Sequence, residues 1–248
     1  MKNSHRLRRA QAIMRIVDRF AAILERRLSA EFNRLAQEAA NRYPKPPSYR
    51  LHERNLRRIL LSLLLEAAHE AVARTRGEIQ KSLPWLTERK LDTEEELRQR
   101  TVSIAERQVG RRIVGIANTS RERVANAILR GLEADEAPDE IARRIRGISE
   151  FSRARARTIA RTESHQTIMS AQFASMEETA DELELKMFKV WVSSNDARTR
   201  DSHIEANGQK VAMNEKFEVG DAFLDHPGDP EGPPEEVINC RCAIVWET

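Results

Sequence analysis

The chain has 248 residues, enough for one large domain or two modest ones. Apolar residues make up 40%, charged residues 33% and aromatic residues only 5%, a balance that suits long helices with narrow buried faces better than a compact enzyme. The net charge of +3 conceals a division: residues 1–161 hold 35 Lys and Arg against 21 Asp and Glu, a net +14, whereas residues 162–248 hold 7 against 18, a net −11. Most of the basic residues are Arg, which grips phosphate bidentately, so a nucleic acid or an acidic protein is the first candidate partner of the front part. The competing reading is that Arg and Glu lace solvent-exposed helix faces. Two Cys one residue apart cannot form a disulfide framework, and a reducing compartment fits them best. The charged start (Lys2, Arg6, Arg8, Arg9) leads into apolar residues interrupted by Arg15, Asp18 and Arg19. Neither a signal peptide nor a spanning helix is expected, and the chain reads as one made in the cytoplasm with no membrane partner.

The first predicted helix covers 5–42, with Ala10, Ile13, Ile16, Val17, Phe20, Leu24, Leu28, Phe32, Leu35 and Ala39 on one stripe. Tyr43-Pro44-Lys45-Pro46-Pro47 ends it, since proline lacks the amide donor. Arg6, Arg8, Arg9, Arg15 and Arg19 make its opening basic, either a DNA-contacting arm or the solvated face of an amphipathic helix. A second helix runs from about Leu51 to Ser82; its Ile59–Leu65 run is apolar nearly all round, too short for a bilayer, and must be covered by other helices. Pro84 breaks the pattern. Thr93 followed by Glu94, Glu95 and Glu96 predicts a capped helix start. The stripe Leu97, Val102, Ile104, Val109, Ile113, Ile116, Val124, Ile128 carries this helix to a stop at Gly131.

Pro138 predicts a first helical position for a short helix ending at Gly147, with another from Phe151 or Ser152 to about Met176–Ala180. Arg153, Arg155, Arg157 and Arg161 then fall at a helix start, where the dipole disfavours cations, and call for an anionic neighbour such as the acidic C-terminal part. From Lys186 to Ser193 the pattern changes to a strand, followed by strands at 208–212 and from Val237–Ile238 to Val245–Trp246, with Asp-, Pro- and Gly-rich loops between them. The fold class is therefore α+β: a mostly helical N-terminal two-thirds and a small C-terminal α+β module with a short sheet. The expected division is a basic, Arg-rich helical region over 1–150 and the module over 151–248.

Alternation along the last strand places Cys240, Cys242, Ile244 and Trp246 on one face and Arg241, Ala243 and Val245 on the other. Two thiols on one face can bind a soft metal ion, with His203 and one of Asp196, Asp201 or His226 completing a tetrahedron; structural zinc is the candidate cofactor. The alternative is a pair of small buried thiols packed beneath the loops. Asp196, Arg198, Arg200, Asp201 and His203 also resemble an acid–base cluster, which makes a metal- or His-dependent enzyme acting on phosphate-containing substrates through Asp196, His203, Cys240 and Cys242 the rival function. No nucleophile elbow, phosphate-binding loop or HExxH pair accompanies them, so no catalytic residue is assigned. The plainer reading is that Asp196 caps a turn while Arg198 and Arg200 fix an irregular loop. Trp191 and Phe217 read as core anchors.

Arg161-Thr162-Glu163, then Trp191-x4-Asp196-x-Arg198-x-Arg200-x2-His203, then Asn207-Gly208 and finally Asn239-Cys240-Arg241-Cys242 together resemble the C-terminal module of phage Mu F-like head morphogenesis proteins, the minor head proteins of tailed phages and prophages. The resemblance covers roughly Ile141 to Trp246 and lies in the combination and order of the motifs. It implies a non-enzymatic virion component of the capsid interior near the portal, present in the host cytoplasm during assembly. The implied partners are the portal protein, and with it double-stranded DNA and the major capsid or scaffolding protein. Some relatives carry toxin domains; with Trp246 two residues from the end, none is expected here.

Overall fold

A computed structural model describes residues 2–83 and 94–248. Its first helix, α1 (Lys2–Arg42), buries the stripe that its spacing predicts, from Ala10 through Phe20, Leu24 and Leu28 to Ala39. Helix α2 (Tyr49–Ser82) buries Leu56, Leu60, Leu63, Leu64, Ala67, Ala68, Ala71 and Val72. Pro84 and the Thr93 cap lie outside the described residues; α3 (Glu94–Glu133) is described from Glu94. This helix passes through Gly131 instead of stopping there, and its turn comes at Asp135, which adopts φ 55°. Gly131 serves a different purpose: a Cβ there would stand 2.6 Å from Ile141 Cγ1, so the missing side chain lets the next helix approach.

That helix, α4 (Pro138–Glu182), is a single element of 45 residues. Pro138 opens it as predicted, with the Glu140 carboxylate accepting the Ala137 N–H at 3.0 Å. The expected break at Gly147 is absent, because an isolated glycine costs about 1 kcal/mol in a helix and burial of Ile141, Ile145, Ala156 and Ala160 offsets it. Arg153, Arg155, Arg157 and Arg161 are consequently mid-helix, and the unfavourable end-dipole disappears. Their anionic neighbours are not the C-terminal module: Arg157 pairs with Glu25 at 3.2 Å and Arg161 with Asp18 at 3.5 Å, both on α1. Arg155, half-buried, donates to Ile116 O and Ser120 Oγ and lies over the Phe32 ring; burial lowers its pKa to about 10.

The C-terminal strands are short. β1 (Phe188–Val192) pairs antiparallel with β2 (Lys210–Ala212) on one side and β5 (Ala243–Glu247) on the other, giving the order β2-β1-β5. Between them come α5 (Asp201–Glu205), the hairpin β3 (Phe217–Val219) and β4 (Ala222–Leu224), and α6 (Pro234–Val237). The last predicted strand is thereby shortened: Val237 ends α6, Asn239 takes φ 58°, and Cys240-Arg241-Cys242 precede β5 as loop. Strand alternation does not govern the two thiols; both are buried. Among the described residues no helix is long and apolar enough to cross a membrane.

The chain forms two compact units. One comprises Met1–Phe20, Leu64–Ala105 and Arg161–Thr248 and holds all five strands; the other comprises Ala21–Leu63 and Glu106–Ala160 and is helical. By sequence, the helical unit carries 21 Lys and Arg against 12 Asp and Glu, a net +9, and the strand-containing unit 21 against 27, a net −6.

Within the helical unit, Ala39, Ala40, Val124, Ala127, Ile141 and Ile145 form one apolar cluster. Nearby on α1, buried Glu31 accepts hydrogen bonds from Arg34, Asn55 Nδ2 and the His52 ring at 2.7–2.9 Å. Burial would raise its pKa, but these three donors lower it to about 2 from 4.5. A carboxylate with a depressed folded pKa stabilises fully above its unfolded pKa and loses that contribution as pH falls through the folded value. Stability of this unit should therefore decline between about pH 4.5 and pH 2. Glu31→Ala should flatten that decline and cost roughly 1–3 kcal/mol at neutral pH by leaving His52 and Asn55 without their acceptor, measured by urea unfolding across pH.

Candidate functional site

The site is assembled on the end of β1. Trp191 is fully buried, meeting the Phe217 ring edge-on with centroids 5.4 Å apart and the His203 ring edge-on at the same distance. The chain leaves β1 at Val192 and is held at once by Asn207, whose Oδ1 accepts the Ser193 N–H at 2.9 Å. Gly208 follows at φ 85°, a conformation that a side chain would strain, and its N–H donates to Trp191 O at 2.8 Å. Asn207-Gly208 is thus the return turn that brings β2 back beside β1.

In the loop between, Asp196 accepts from the Arg198 backbone N–H at 2.9 Å, while Thr199 Oγ1 accepts the Asp196 N–H. The same carboxylate is gripped by both terminal nitrogens of Arg241 at 2.6 Å each, a fork-to-fork pairing of the strong geometric kind. The side chain of Arg200 donates to Ile238 O at 2.6 Å. Arg198 is exposed and enters the network through its backbone. Asp196, Arg200 and Arg241 therefore tie the loop after β1 to the loop before β5.

Beneath these ties lies His203 on α5, 2% exposed. Its Nε2 meets Glu236 Oε2 at 2.9 Å, and that oxygen also accepts the Ser202 hydroxyl. Because a carboxylate only accepts, Nε2 carries the proton, and a neutral ring then presents a bare lone pair at Nδ1. Nδ1 stands 3.2 Å from Cys242 Sγ and 3.8 Å from Cys240 Sγ. Both Cys are free and buried. Burial pushes the Cys240 thiol up, whereas the hydrogen bond from the Cys240 S–H holds Cys242 well below the ordinary thiol range, against its own burial. Among the described residues His203, Cys240 and Cys242 form a group whose donor atoms all lie within 4.8 Å of one another.

The other residues suggested for a fourth ligand do not join this group. Asp196 belongs to Arg241, Asp201 is exposed, and His226 has Nε2 on Ser170 Oγ at 3.2 Å and Nδ1 on Pro227 O at 3.1 Å.

Helix α4 supports the thiol loop from below. Thr162 Oγ1 accepts the Asn239 N–H at 3.1 Å, and the His165 Nε2–H donates to Cys242 O at 2.7 Å. Three residues apart, they share a helix face and hold the two ends of Asn239-Cys240-Arg241-Cys242. Arg161 of the same motif points to Asp18, and Glu163 is buried. His165, Glu236 and buried Lys189 escaped the sequence reading. Lys189 donates to Asp225 O at 2.9 Å and faces the Phe173 ring, with its pKa lowered to about 8 by burial. No spacing marks any of them, because each partner lies far away in sequence, 33 residues from Glu236, 36 from Lys189 and 77 from His165.

At the N-terminus, Arg6 pairs with Glu247 at 2.7 Å, Arg9 with Glu78 at 2.9 Å and with Trp246 O, and Arg19 with Glu70. These three arginines fasten α1 to β5 and α2. Arg8 and Arg15 are exposed.

The model of the family described as Phage Mu protein F like protein matches residues 118–245, just over half of the chain. Minor head protein GP7 of Bacillus phage SPP1 is 34% identical over 128 residues, 50% of this chain and 39% of that protein. An NAD(+)–arginine ADP-ribosyltransferase of Enterococcus faecalis, EFV, is 31% identical over 142 residues, 57% of this chain and 29% of that enzyme. The Bacillus subtilis protein YqbB is 25% identical over 129 residues, 50% of this chain and 41% of it. The matched stretches thus span well under half the length of these curated relatives. No solved structure matches the chain.

The division between aromatic core and surface tie has a measurable consequence. Trp191→Ala should cost about 3–5 kcal/mol through the cavity it leaves, and Asp196→Ala much less because its pair with Arg241 is solvated, both by chemical denaturation. The reverse order would mean that the loop ties, not Trp191, hold the site together.

Proposed function

Because the chain belongs to the Phage Mu protein F like family, we propose that it is a minor head protein acting in phage capsid morphogenesis. The observation that carries this reading is the family match over residues 118–245, supported by 34% identity to a protein named as a minor head protein. The matched stretch contains the whole loop network around His203, a static set of mutual ties suited to presenting a fixed surface to other head components. Residues 151–248 are the assembly module in this reading, and residues 1–150 meet portal subunits or packaged DNA. Major capsid or scaffolding protein are further partners, and the place of action is the capsid interior near the portal, reached from the host cytoplasm.

Electrostatics support the DNA component. The helical unit is +9 and displays Arg54, Arg57 and Arg58 to solvent on α2, while the strand-containing unit is −6 and is repelled by phosphate. Of the N-terminal arginines, Arg8 and Arg15 remain exposed for such contact, whereas Arg6, Arg9 and Arg19 are committed to carboxylates of the protein itself.

A metal- or His-dependent enzyme acting on phosphate-containing substrates is the rival. It requires Asp196 and His203 to converge on one substrate, but Asp196 forks onto Arg241 at the surface while His203 turns Nδ1 inward to two buried thiols. The name of the ADP-ribosyltransferase relative belongs to a protein of which this stretch matches 29%, and turnover of a nucleotide or nucleic acid by the purified chain would favour catalysis.

Mass spectrometry of purified particles should find the protein, and its deletion should lower the yield of properly formed heads; its absence from mature and immature particles alike would overturn the proposal. Affinity of the full chain for double-stranded DNA should fall about a thousandfold or more between 50 and 200 mM salt if at least six phosphates are contacted, and the salt slope should drop by about one for each of Arg54, Arg57 and Arg58 replaced by Ala. No binding at low salt would remove DNA from the partners.

A further inference from the structure

We infer that His203 Nδ1, Cys240 Sγ and Cys242 Sγ form a binding site for one soft divalent cation of the zinc class, with Glu236 orienting the imidazole from its far side. This inference stands on the local geometry and is independent of the role in head assembly.

The first argument is distance. With Zn–S near 2.3 Å and Zn–N near 2.1 Å, a tetrahedral site sets its ligands about 3.6 Å apart for N···S and about 3.8 Å for S···S. Nδ1 stands 3.2 and 3.8 Å from the two sulfurs, and all three donors lie within 4.8 Å of one another. Both N···S distances are within about 0.4 Å of the tetrahedral value, and closing the triangle around one ion takes shifts of about 1 Å at most.

The second argument is the way the ring is held. A metal-binding imidazole must offer an unprotonated nitrogen, and its other N–H usually donates to a carboxylate, which fixes the tautomer. Glu236 stands at 2.9 Å from Nε2 and is itself held by the Ser202 hydroxyl and set on the first turn of α6. The two thiols are the hydrogen-bonding neighbours of Nδ1, and Trp191 is set against the ring edge-on.

The third concerns the sulfurs. Both are free and buried, and both are turned to the same ring nitrogen. One lone pair at Nδ1 can accept only one S–H, whereas one cation satisfies all three atoms.

Among the described residues no fourth His, Cys, Asp or Glu donor joins the group, so a water or another exchangeable ligand completes the tetrahedron. The ion would link α5 to the loop before β5, in a part of the chain with few hydrogen-bonded strands. Its binding energy would then contribute to the folding of that loop.

The test uses the full chain purified from metal-replete cells. Elemental analysis should find about one zinc per chain, and exchange with Co(II) should give the intense visible bands of a tetrahedral site plus a thiolate-to-cobalt charge-transfer band. Cys242→Ser should abolish the charge-transfer band or reduce it sharply. Glu236→Gln, which leaves all three donors in place, should keep the band while weakening metal affinity about 10- to 100-fold, with far-UV circular dichroism confirming that it folds. A folded wild-type chain without metal that gives no cobalt spectrum would overturn the inference, as would a charge-transfer band that survives Cys240→Ser/Cys242→Ser. Neither result depends on particle formation, so the site and the assembly role fail separately.

Discussion

The ring of His203 is the point at which three segments without extended secondary structure meet. One face is set against Trp191, one nitrogen is claimed by Glu236, and the other is turned to both thiols. Helix α5, which carries it, is only five residues long and has no side-chain cap at its start. Such a helix has no stability of its own, since the first turn costs more conformational freedom than its hydrogen bonds return. Its position is therefore set by the ring rather than the ring by the helix. The same holds for α6, four residues long, placed by Glu236. Two helices this short persist because a single buried side chain is satisfied on all sides at once, and removal of any one partner leaves another polar group without its mate.

Charge is distributed along the same lines. The +14 and −11 parts of the sequence become a +9 helical unit and a −6 strand-containing unit, because the first twenty residues and the segment Leu64–Ala105, from the second half of α2 into α3, join the C-terminal strands. Part of the N-terminal basic charge is spent internally. Arg6 and Lys210 both reach Glu247 and lower its pKa to about 2, which fixes the last residues of β5 in place. The sequence dipole is thus partly neutralised inside the strand-containing unit and partly displayed, on the helical unit and at Arg8 and Arg15 of α1, and only the displayed part is open to a phosphate partner.

Helices were legible because each repeats its signal many times. Ala10, Ile13, Val17, Phe20 and Leu24 all point to one stripe, and Pro138 marks an N-terminus by its own stereochemistry. Gly131 and Gly147 misled because glycine signals a stop only where nothing else holds the helix, and here the packing of Ile141 and Ile145 does. The strand at 188–192 was visible from its burial on both faces, whereas the three-residue strands of the β3–β4 hairpin are too short for period-two alternation to register. At the site, the grouping of His203 with Cys240 and Cys242 followed from side-chain chemistry, though not for the reason first given, since those thiols sit in a loop with Asn239 at positive φ instead of on a strand face. Glu236 and His165 were invisible because tertiary folding alone brings them to the ring and to the loop, from positions 33 and 77 residues away.

The family-matched stretch, residues 118–245, does not complete its own core. Glu247 and Trp246, at the end of β5, are held by Arg6 and Arg9 of α1; buried Gln172 of α4 reaches Thr75 of α2; and Ala171 packs against Ala68 and Val72. The last two contacts join a residue of the match to one outside it, and the two arginines hold the strand residues that directly follow it. In this chain the preceding helices are consequently part of the module's fold, and the strand-containing unit is closed by segments drawn from both ends of the sequence. A module built this way cannot shift its β5 edge without loosening α1, nor can α1 turn its first arginines outward without releasing β5. The helix that exposes Arg8 and Arg15 is thus the one whose Arg6 and Arg9 hold β5, and β5 pairs with β1, which sets Trp191 against the buried imidazole.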